Sequence, residues 1–187
     1  MFKNTLICYL FKFILCFCIL YYGTKAMAGI TAPGGGFYWE FADKYFNYVA
    51  WLRSFLMSTS SFVLELAGYD IYMKDIYTIR MQGGIGVHIV YSCLGYGVMS
   101  FWIAFIFANS GTFRQKLFWI LLGLVVIFII NVSRVCLMLV AVNRKWKTPL
   151  GFDNHTWFNI AAYTAIFIMM WLFDKSSKRR KTGIAAS

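Results

Sequence analysis

The chain has 187 residues, of which 60% are hydrophobic, 20% are aromatic and only 13% are charged. This apolar excess excludes a disordered chain and is too large for a soluble domain. Five cysteines, three of them in one apolar run, argue against a disulfide framework. A net charge of +11 would indicate a nucleic-acid partner in a soluble chain. Here the basic residues lie mostly between or beyond apolar runs, so they predict membrane orientation and no nucleic-acid binding.

Four apolar runs predict transmembrane helices, because about 20 apolar residues are needed to cross roughly 30 Å of hydrocarbon. The runs are residues 5–22, 94–109, 117–143 and 156–173. The first resembles a secretory signal, with Lys3 before it and Ala26-Met27-Ala28 ahead of Gly29. We therefore expect residues 1–28 to form a signal-like anchor helix, cleaved or retained, and Gly29 to lie outside the cytoplasm.

Basic residues in the connections predict the orientation of these runs. Arg114 and Lys116 join the second and third runs, and the tail, residues 174–187, has five basic residues against Asp174. Both segments are therefore expected in the cytoplasm. The basic loop 143–154 indicates the opposite, but the tail and the signal-like start outweigh it. The prediction is a multi-pass protein of the cell (inner) membrane.

Residues 29–68 predict an extracytoplasmic linker followed by a helix. The helical pattern over residues 41–68 contains Asp43, Lys44, Arg53 and Glu65, whose charges would make an isolated span costly. An amphipathic helix on the outer surface is the simpler interpretation, and a membrane-embedded helix is the alternative.

Between residues 69 and 91 the hydrophobic period changes from 3.6 to 2. The pair Gly83-Gly84 separates two alternating runs, which predicts a β-hairpin. The predicted fold class is thus an all-α polytopic membrane protein. It would have about four transmembrane helices, an outer amphipathic helix and a short extracytoplasmic β-hairpin before the cysteine helix.

Three polar residues from unconnected stretches are predicted to lie at one membrane depth. Cys93 opens the second run, His155 opens the fourth, and Arg134 lies about 26 Å along the third, counted from Leu117. An arginine within a span is costly, so Arg134 indicates a functional site unless it snorkels to the headgroups. Asn131 precedes it by one helical turn and faces the same direction.

The remaining candidates are assigned by their positions. Ser92 is predicted to cap the helix that Cys93 opens, and a helix N-terminus favours a reactive thiolate. Asp153 is interpreted as a helix cap close in sequence to His155. His88 is interpreted as structural, and the other four cysteines as small buried hydrophobes. Neither histidine has ligands at metal-binding spacing, so no metal and no cofactor are predicted.

A thiolate, an imidazole and a fixed positive charge are the parts of cysteine-type acyl transfer. Their arrangement resembles the exosortase and archaeosortase family of membrane transpeptidase-like proteins. Ser92-Cys93-Leu94-Gly95 is similar to the family's cysteine motif, Asn131-Val132-Ser133-Arg134 to its Asn-x-x-Arg motif, and His155 to its late histidine. Leu94 and Asn159 depart from the family pattern, where Ser or Asn and Gly are usual.

The resemblance covers about residues 69–173, which would form the catalytic core ahead of the basic cytoplasmic tail. It implies that Cys93, Arg134 and His155 are catalytic and face the extracytoplasmic side. The supporting residues would be Asn131, Ser92, Gly95 and Asp153.

The same resemblance implies the substrate and partners. The substrate would be a secreted protein whose C-terminal sorting signal contains a short motif, a transmembrane helix and a basic cluster. It would be transferred, through a thioester on Cys93, to a lipid or glycan acceptor, so membrane lipids are expected partners.

Two other functions compete with this interpretation. A non-catalytic membrane scaffold for envelope polysaccharide or protein export would use the polar trio only to hold helices together. A small transporter would need ionisable residues near mid-span, and only Lys12 is predicted there.

Overall fold

The computed structural model describes residues 2–32, 37–146 and 154–184, and most of these residues are helical. The four long helices are α1 (Phe2–Ile30), α4 (Tyr96–Ala108), α5 (Phe113–Asn143) and α6 (Asn154–Ile184). They correspond to the four predicted runs, although α6 continues beyond residue 173 into the predicted tail. Among the described residues, two helices are long and apolar enough to cross a membrane: α5, and α1 from Leu6. The apolar helix α4 has only 13 residues.

Aromatic side chains pack α1 antiparallel along α4. The rings of Phe13 and Phe17 meet Phe101 at centroid distances of 5.4 and 6.5 Å. Further along, Tyr21 stacks on Tyr96 at 5.4 Å. Because aromatic pairs of this kind add to the burial of apolar surface, α1 forms part of the folded bundle.

The end of α1 that resembles a cleavage sequence is helical and packed. Helix α1 continues through Ala26 to Ile30, and Met27 and Ala28 pack against buried residues of α3, the sheet and α5. The N-terminal segment therefore contributes to the core as well as resembling a signal.

A close approach between α4 and α5 depends on a glycine. The indole of Trp102 lies against Gly123, where an added Cβ would overlap the ring nitrogen. That nitrogen donates a hydrogen bond of 2.9 Å to the carbonyl oxygen of Trp119. Helix α6 joins the pair through Phe173, whose ring lies 5.8 Å from that of Phe105. Small residues let helices approach in this way in membrane proteins.

The region predicted as one helix over residues 41–68 forms two helices, α2 (Glu40–Phe46) and α3 (Tyr48–Leu66). Asn47 separates them. Its Oδ1 accepts the N–H of Ala50 at 2.9 Å, and its Nδ2 donates to Asp43 at 2.6 Å. The amide thus caps the start of α3 and closes α2.

Helix α3 packs a mainly apolar face against the protein. Its buried residues are the core residues Val49, Leu56, Met57 and Leu64, together with Arg53, Ser60 and Ser61. The outward side is mixed: Ser54, Ser58 and Glu65 are exposed, and so are the large apolar residues Trp51, Phe55, Phe62, Val63 and Leu66. The feature that the amphipathic pattern did not predict is the burial of the charged Arg53 on the core side.

The small sheet has three antiparallel strands in the order β1 (Ile71–Asp75), β2 (Thr78–Met81) and β3 (Gly86–His88). The predicted hairpin across Gly83-Gly84 is the β2–β3 pair, in which buried Ile79 lies opposite Val87. Strand β1 was not predicted. Its side chains are mostly exposed, so it has no regular alternation of apolar and polar residues.

The turn between β1 and β2 is held by Asp75, whose carboxylate accepts the N–H of Tyr77 at 2.7 Å. This hydrogen bond keeps the pKa of the Asp75 carboxyl below its ordinary value. The sheet packs on α3 and α5 and defines the sheet end of the molecule. The connection from α4 to α5, residues 109–112, lies at the opposite end.

Candidate functional site

Cys93 lies in a short 3₁₀ turn, Tyr91–Leu94, that follows β3. Its N–H donates to the carbonyl oxygen of Val90 at 2.8 Å. Helix α4 begins only at Tyr96, with Gly95 as its N-cap and no capping side chain. The prediction that Ser92 caps a helix opened by Cys93 is therefore wrong, because Ser92 lies within the turn. Cys93 precedes α4 and does not belong to its first turn.

Asn131 of α5 fixes the backbone next to Cys93. Its Nδ2 donates a hydrogen bond of 3.1 Å to the carbonyl oxygen of Leu94. Gly95 has a φ of +71°, in the left-handed region that favours glycine, and an added Cβ would overlap the Asn131 amide. The cysteine motif and the Asn-x-x-Arg motif are thus in direct contact.

Arg134, one turn after Asn131, reaches the thiol itself. Its Nη2 lies 3.8 Å from the Sγ of Cys93, and each residue is 6% exposed. The Arg134 Nε is also buried, and it has no hydrogen-bond partner among the residues that the structure describes. A positively charged group beside the sulfur is typical of cysteines that act as nucleophiles. The unpartnered N–H leaves a donor available for an oxygen of a bound molecule.

A cavity of about 250 Å³ opens beside Arg134. Gly95, Asn131 and Arg134 form one side of it, and Asn159 and Tyr163 of α6 form another. Its lining also includes Tyr21 of α1 and Tyr96 of α4. From the sequence, Asn159 was identified only as a departure from the family pattern. The three tyrosines were not predicted to be site residues.

A second cavity, of about 540 Å³, adjoins the first, and Gly97, Val98 and Tyr163 line both. The rest of its lining is apolar: Phe17, Phe101, Ile166, Phe167 and Met170. These residues belong to α1, α4 and α6. An apolar groove between α1 and α6 therefore leads along α4 to the cavity that Arg134 lines.

His155 lies in the first turn of α6, one turn before Asn159, which lines the first cavity. The structure describes its backbone but not its side chain, and the same holds for Ser92. Asp153 lies outside the described residues. Cys93, Arg134, Asn131 and Gly95 are thus in contact as a group, and the role of His155 remains a prediction.

The sequence missed a second buried arginine. Arg53 of α3 is 7% exposed, and its Nε has no hydrogen-bond partner within the described part of the chain. Its guanidinium carbon lies 4.1 Å from the ring centroid of Tyr77 and 5.9 Å from that of Tyr91, the first residue of the cysteine turn. In the sequence, Arg53 is a lone charge within an aromatic-rich helix, and this charge could have indicated a buried contact. The pattern was interpreted only as an obstacle to membrane insertion.

Fold and site together define a helical membrane protein in which a buried thiol faces a guanidinium beside a groove. Its family follows from comparison with known families: the transmembrane exosortase family matches residues 3–172, and this chain belongs to it. No curated protein and no solved structure matches the chain significantly. The family match confirms the predicted resemblance and extends it from about residue 69 to the start of α1. Membership suggests a membrane transpeptidase-type function.

Proposed function

We propose that this chain is a membrane-embedded cysteine protease and transpeptidase. It cleaves the C-terminal sorting signal of secreted proteins and transfers them to a lipid or glycan acceptor through a thioester on Cys93. One observation carries the proposal: the Nη2 of Arg134 lies 3.8 Å from the Sγ of Cys93 in a buried setting. The transpeptidase-type function suggested by the family supports the class of reaction.

In the first half of the reaction the Cys93 thiolate attacks the carbonyl carbon of the scissile peptide bond. A carbon–sulfur bond forms, and the carbonyl oxygen becomes an oxyanion that the free N–H of Arg134 stabilises. The carbon–nitrogen bond then breaks, and the amine leaves with a proton from the His155 imidazolium. The secreted protein remains attached to Cys93 as a thioester.

In the second half an acceptor hydroxyl or amine on a lipid or glycan attacks the thioester carbon. His155 takes the acceptor's proton, the carbon–sulfur bond breaks, and the thiolate returns to its contact with Arg134. The imidazolium is then ready for the next cleavage. His155 therefore carries out both proton transfers, as an acid in the first half and as a base in the second.

The groove between α1 and α6 supports substrate entry from within the membrane. Its apolar lining suits the transmembrane helix of a sorting signal. A helix in this groove would present its outer end to Cys93. We place the site on the extracytoplasmic face of the cell (inner) membrane, because the basic end of α6 and the basic start of α5, with Arg114 and Lys116, lie at the other end.

A non-catalytic scaffold is the competing proposal, since the Arg134–Cys93 and Asn131–Leu94 contacts also join α5 to the segment before α4. One feature favours the enzyme: Arg134 lines a cavity that could hold a substrate group.

The deciding experiment is intact-mass analysis of the His155→Ala protein purified from its own cells. We expect an added mass on the peptide that contains Cys93, because loss of the imidazole should slow release of the thioester. The added mass should be absent from Cys93→Ala. Cys136→Ala is the matched control, since Cys136 is also buried and its thiol donates to the carbonyl oxygen of Ser60. Normal processing of a tagged substrate by Cys93→Ala would eliminate the proposal.

A further inference from the structure

A third cavity, of about 610 Å³, lies at the end of the molecule opposite the sheet. It is formed by the first part of α1 and by the connection from α4 to α5. Polar groups on its lining come from Tyr9, Lys12, Asn109, Ser110 and Lys116. The sequence pattern had placed Lys12 near mid-span. In the structure it lies beside this connection, so the prediction is corrected.

The charges of this cavity are all of one sign. Lys12 comes from α1 and Lys116 from α5, and no acidic residue lines the cavity in the part of the chain that the structure describes. The Nζ of Lys116 donates to the carbonyl oxygen of Phe107 at 2.8 Å and lies 5.6 Å from the Phe107 ring. An ammonium has three N–H groups, so this bond still leaves donors for a ligand.

We propose that this cavity binds the phosphate of an anionic phospholipid from the adjacent leaflet. Two lysines from different helices converge on it, and basic pockets between transmembrane helices bind such headgroups on the cytoplasmic side. Leu6 and Phe107 add apolar surface to the same cavity. Leu10 and Ile14, further along α1, are exposed and offer a continuous surface for acyl chains. A diacyl lipid could contact both the two lysines and the apolar surface beside them, whereas free phosphate could contact only the lysines.

Binding there would fasten α1 to the connection between α4 and α5. The charge of Lys12 would be neutralised where water is scarce, which offsets part of the cost of a lysine in an apolar helix. This site is separate from Cys93, and the inference does not depend on the proposed reaction.

The test is native mass spectrometry of the full chain in detergent, titrated with phosphatidylglycerol or phosphatidylcholine. We expect the wild type to retain phosphatidylglycerol preferentially. Lys12→Gln and Lys116→Gln should each weaken that retention about fivefold, and the double variant should remove the preference. Lys175→Gln is the matched control, because Lys175 packs on the Trp171 ring and does not line the cavity.

Three results would overturn the inference. The first is equal retention of both lipids by the wild type, and the second is an equal loss in Lys175→Gln. The third is displacement of the lipid by millimolar inorganic phosphate, which would assign the site to a free anion. Thermal midpoints measured in phosphatidylcholine should match among the variants, so that loss of binding is not loss of fold.

Discussion

Asn131 donates a hydrogen bond of 3.1 Å to the carbonyl oxygen of Leu94, immediately after the cysteine. The next residue along α5 on the same face is Arg134, which contacts the thiol. Residues three apart on a helix are neighbours on its surface, so one turn of α5 both fixes the cysteine backbone and supplies the positive group. The geometry of the site therefore depends on how α5 sits against this turn.

Gly95→Ala is expected to destabilise the protein and to suppress processing. The left-handed conformation costs an L-residue roughly 1–2 kcal/mol, and the new methyl group would overlap the Asn131 amide. The thermal midpoint in detergent should fall, together with processing of a tagged substrate. Gly29→Ala, in α1 with no atom near its added Cβ, is the control and should not lower the midpoint.

Asn131→Ala distinguishes the two causes of the destabilisation by Gly95→Ala, which are the left-handed backbone and the overlap with the Asn131 amide. Removing the amide should relieve the overlap but not the strain at Gly95, so the double variant should be less destabilised than the sum of the single variants. Strict additivity would mean that the amide and the Gly95 position do not interact.

Arg134→Lys should lower processing by about 10²-fold, the usual cost of removing one donor to an oxyanion. A lysine keeps the charge but loses the planar fork that presents one N–H to the thiol and another to the substrate. Ser133→Ala is the control, since Ser133 is exposed and its hydroxyl donates to the carbonyl oxygen of Ile129 in its own helix. Wild-type turnover by Arg134→Lys would show that the planar fork is not needed for the reaction.

Arg53→Met should loosen the cysteine turn without removing a reacting group. The guanidinium packs between Tyr77 and Tyr91, and such contacts contribute about 0.5–2 kcal/mol. We expect faster alkylation of Cys93 by a small maleimide, because the turn opens more often. Arg144→Met is the control: Arg144 packs on Tyr69, also at the sheet end, but not on the cysteine turn. Similar alkylation rates in both variants would restrict Arg53 to general packing.

The orientation of the chain can be tested with single cysteines in a variant whose five native cysteines are replaced by alanine. Ile85→Cys, on the exposed β2–β3 connection, should react with a membrane-impermeant maleimide added to intact spheroplasts. Gly111→Cys, at the opposite end, should react only after the membrane is opened. The reverse result would move the proposed site to the cytoplasm.

The common depth of Cys93 and Arg134 could be predicted because distance along a helix is proportional to the number of residues. A rise of 1.5 Å per residue places Arg134 at the depth where the second run begins, whatever the details of packing. The turn that presents Cys93 could not be predicted in the same way. It depends on Asn131, 37 residues further along the chain, holding Leu94 and Gly95.

The burial of Arg53 could not be predicted either. Periodicity shows that α3 has an apolar face, and that face packs on the core through Leu56, Met57 and Leu64. Arg53 is buried on the same side, where its guanidinium packs on Tyr77 and Tyr91. Both tyrosines lie beyond α3 in the sequence, so no local pattern in the helix indicates these contacts.

The shortness of α4 has a consequence for the bilayer itself. Thirteen residues cover about 20 Å, well below the roughly 30 Å of an average hydrocarbon layer. Above α4 the chain forms a 3₁₀ turn, and irregular backbone at membrane depth is tolerated only inside protein or beside water. We therefore expect lipid next to α4 to thin, or water to enter from the sheet end. Under the proposed mechanism, bilayer thickness would then help to set how much water competes with the acceptor for the thioester.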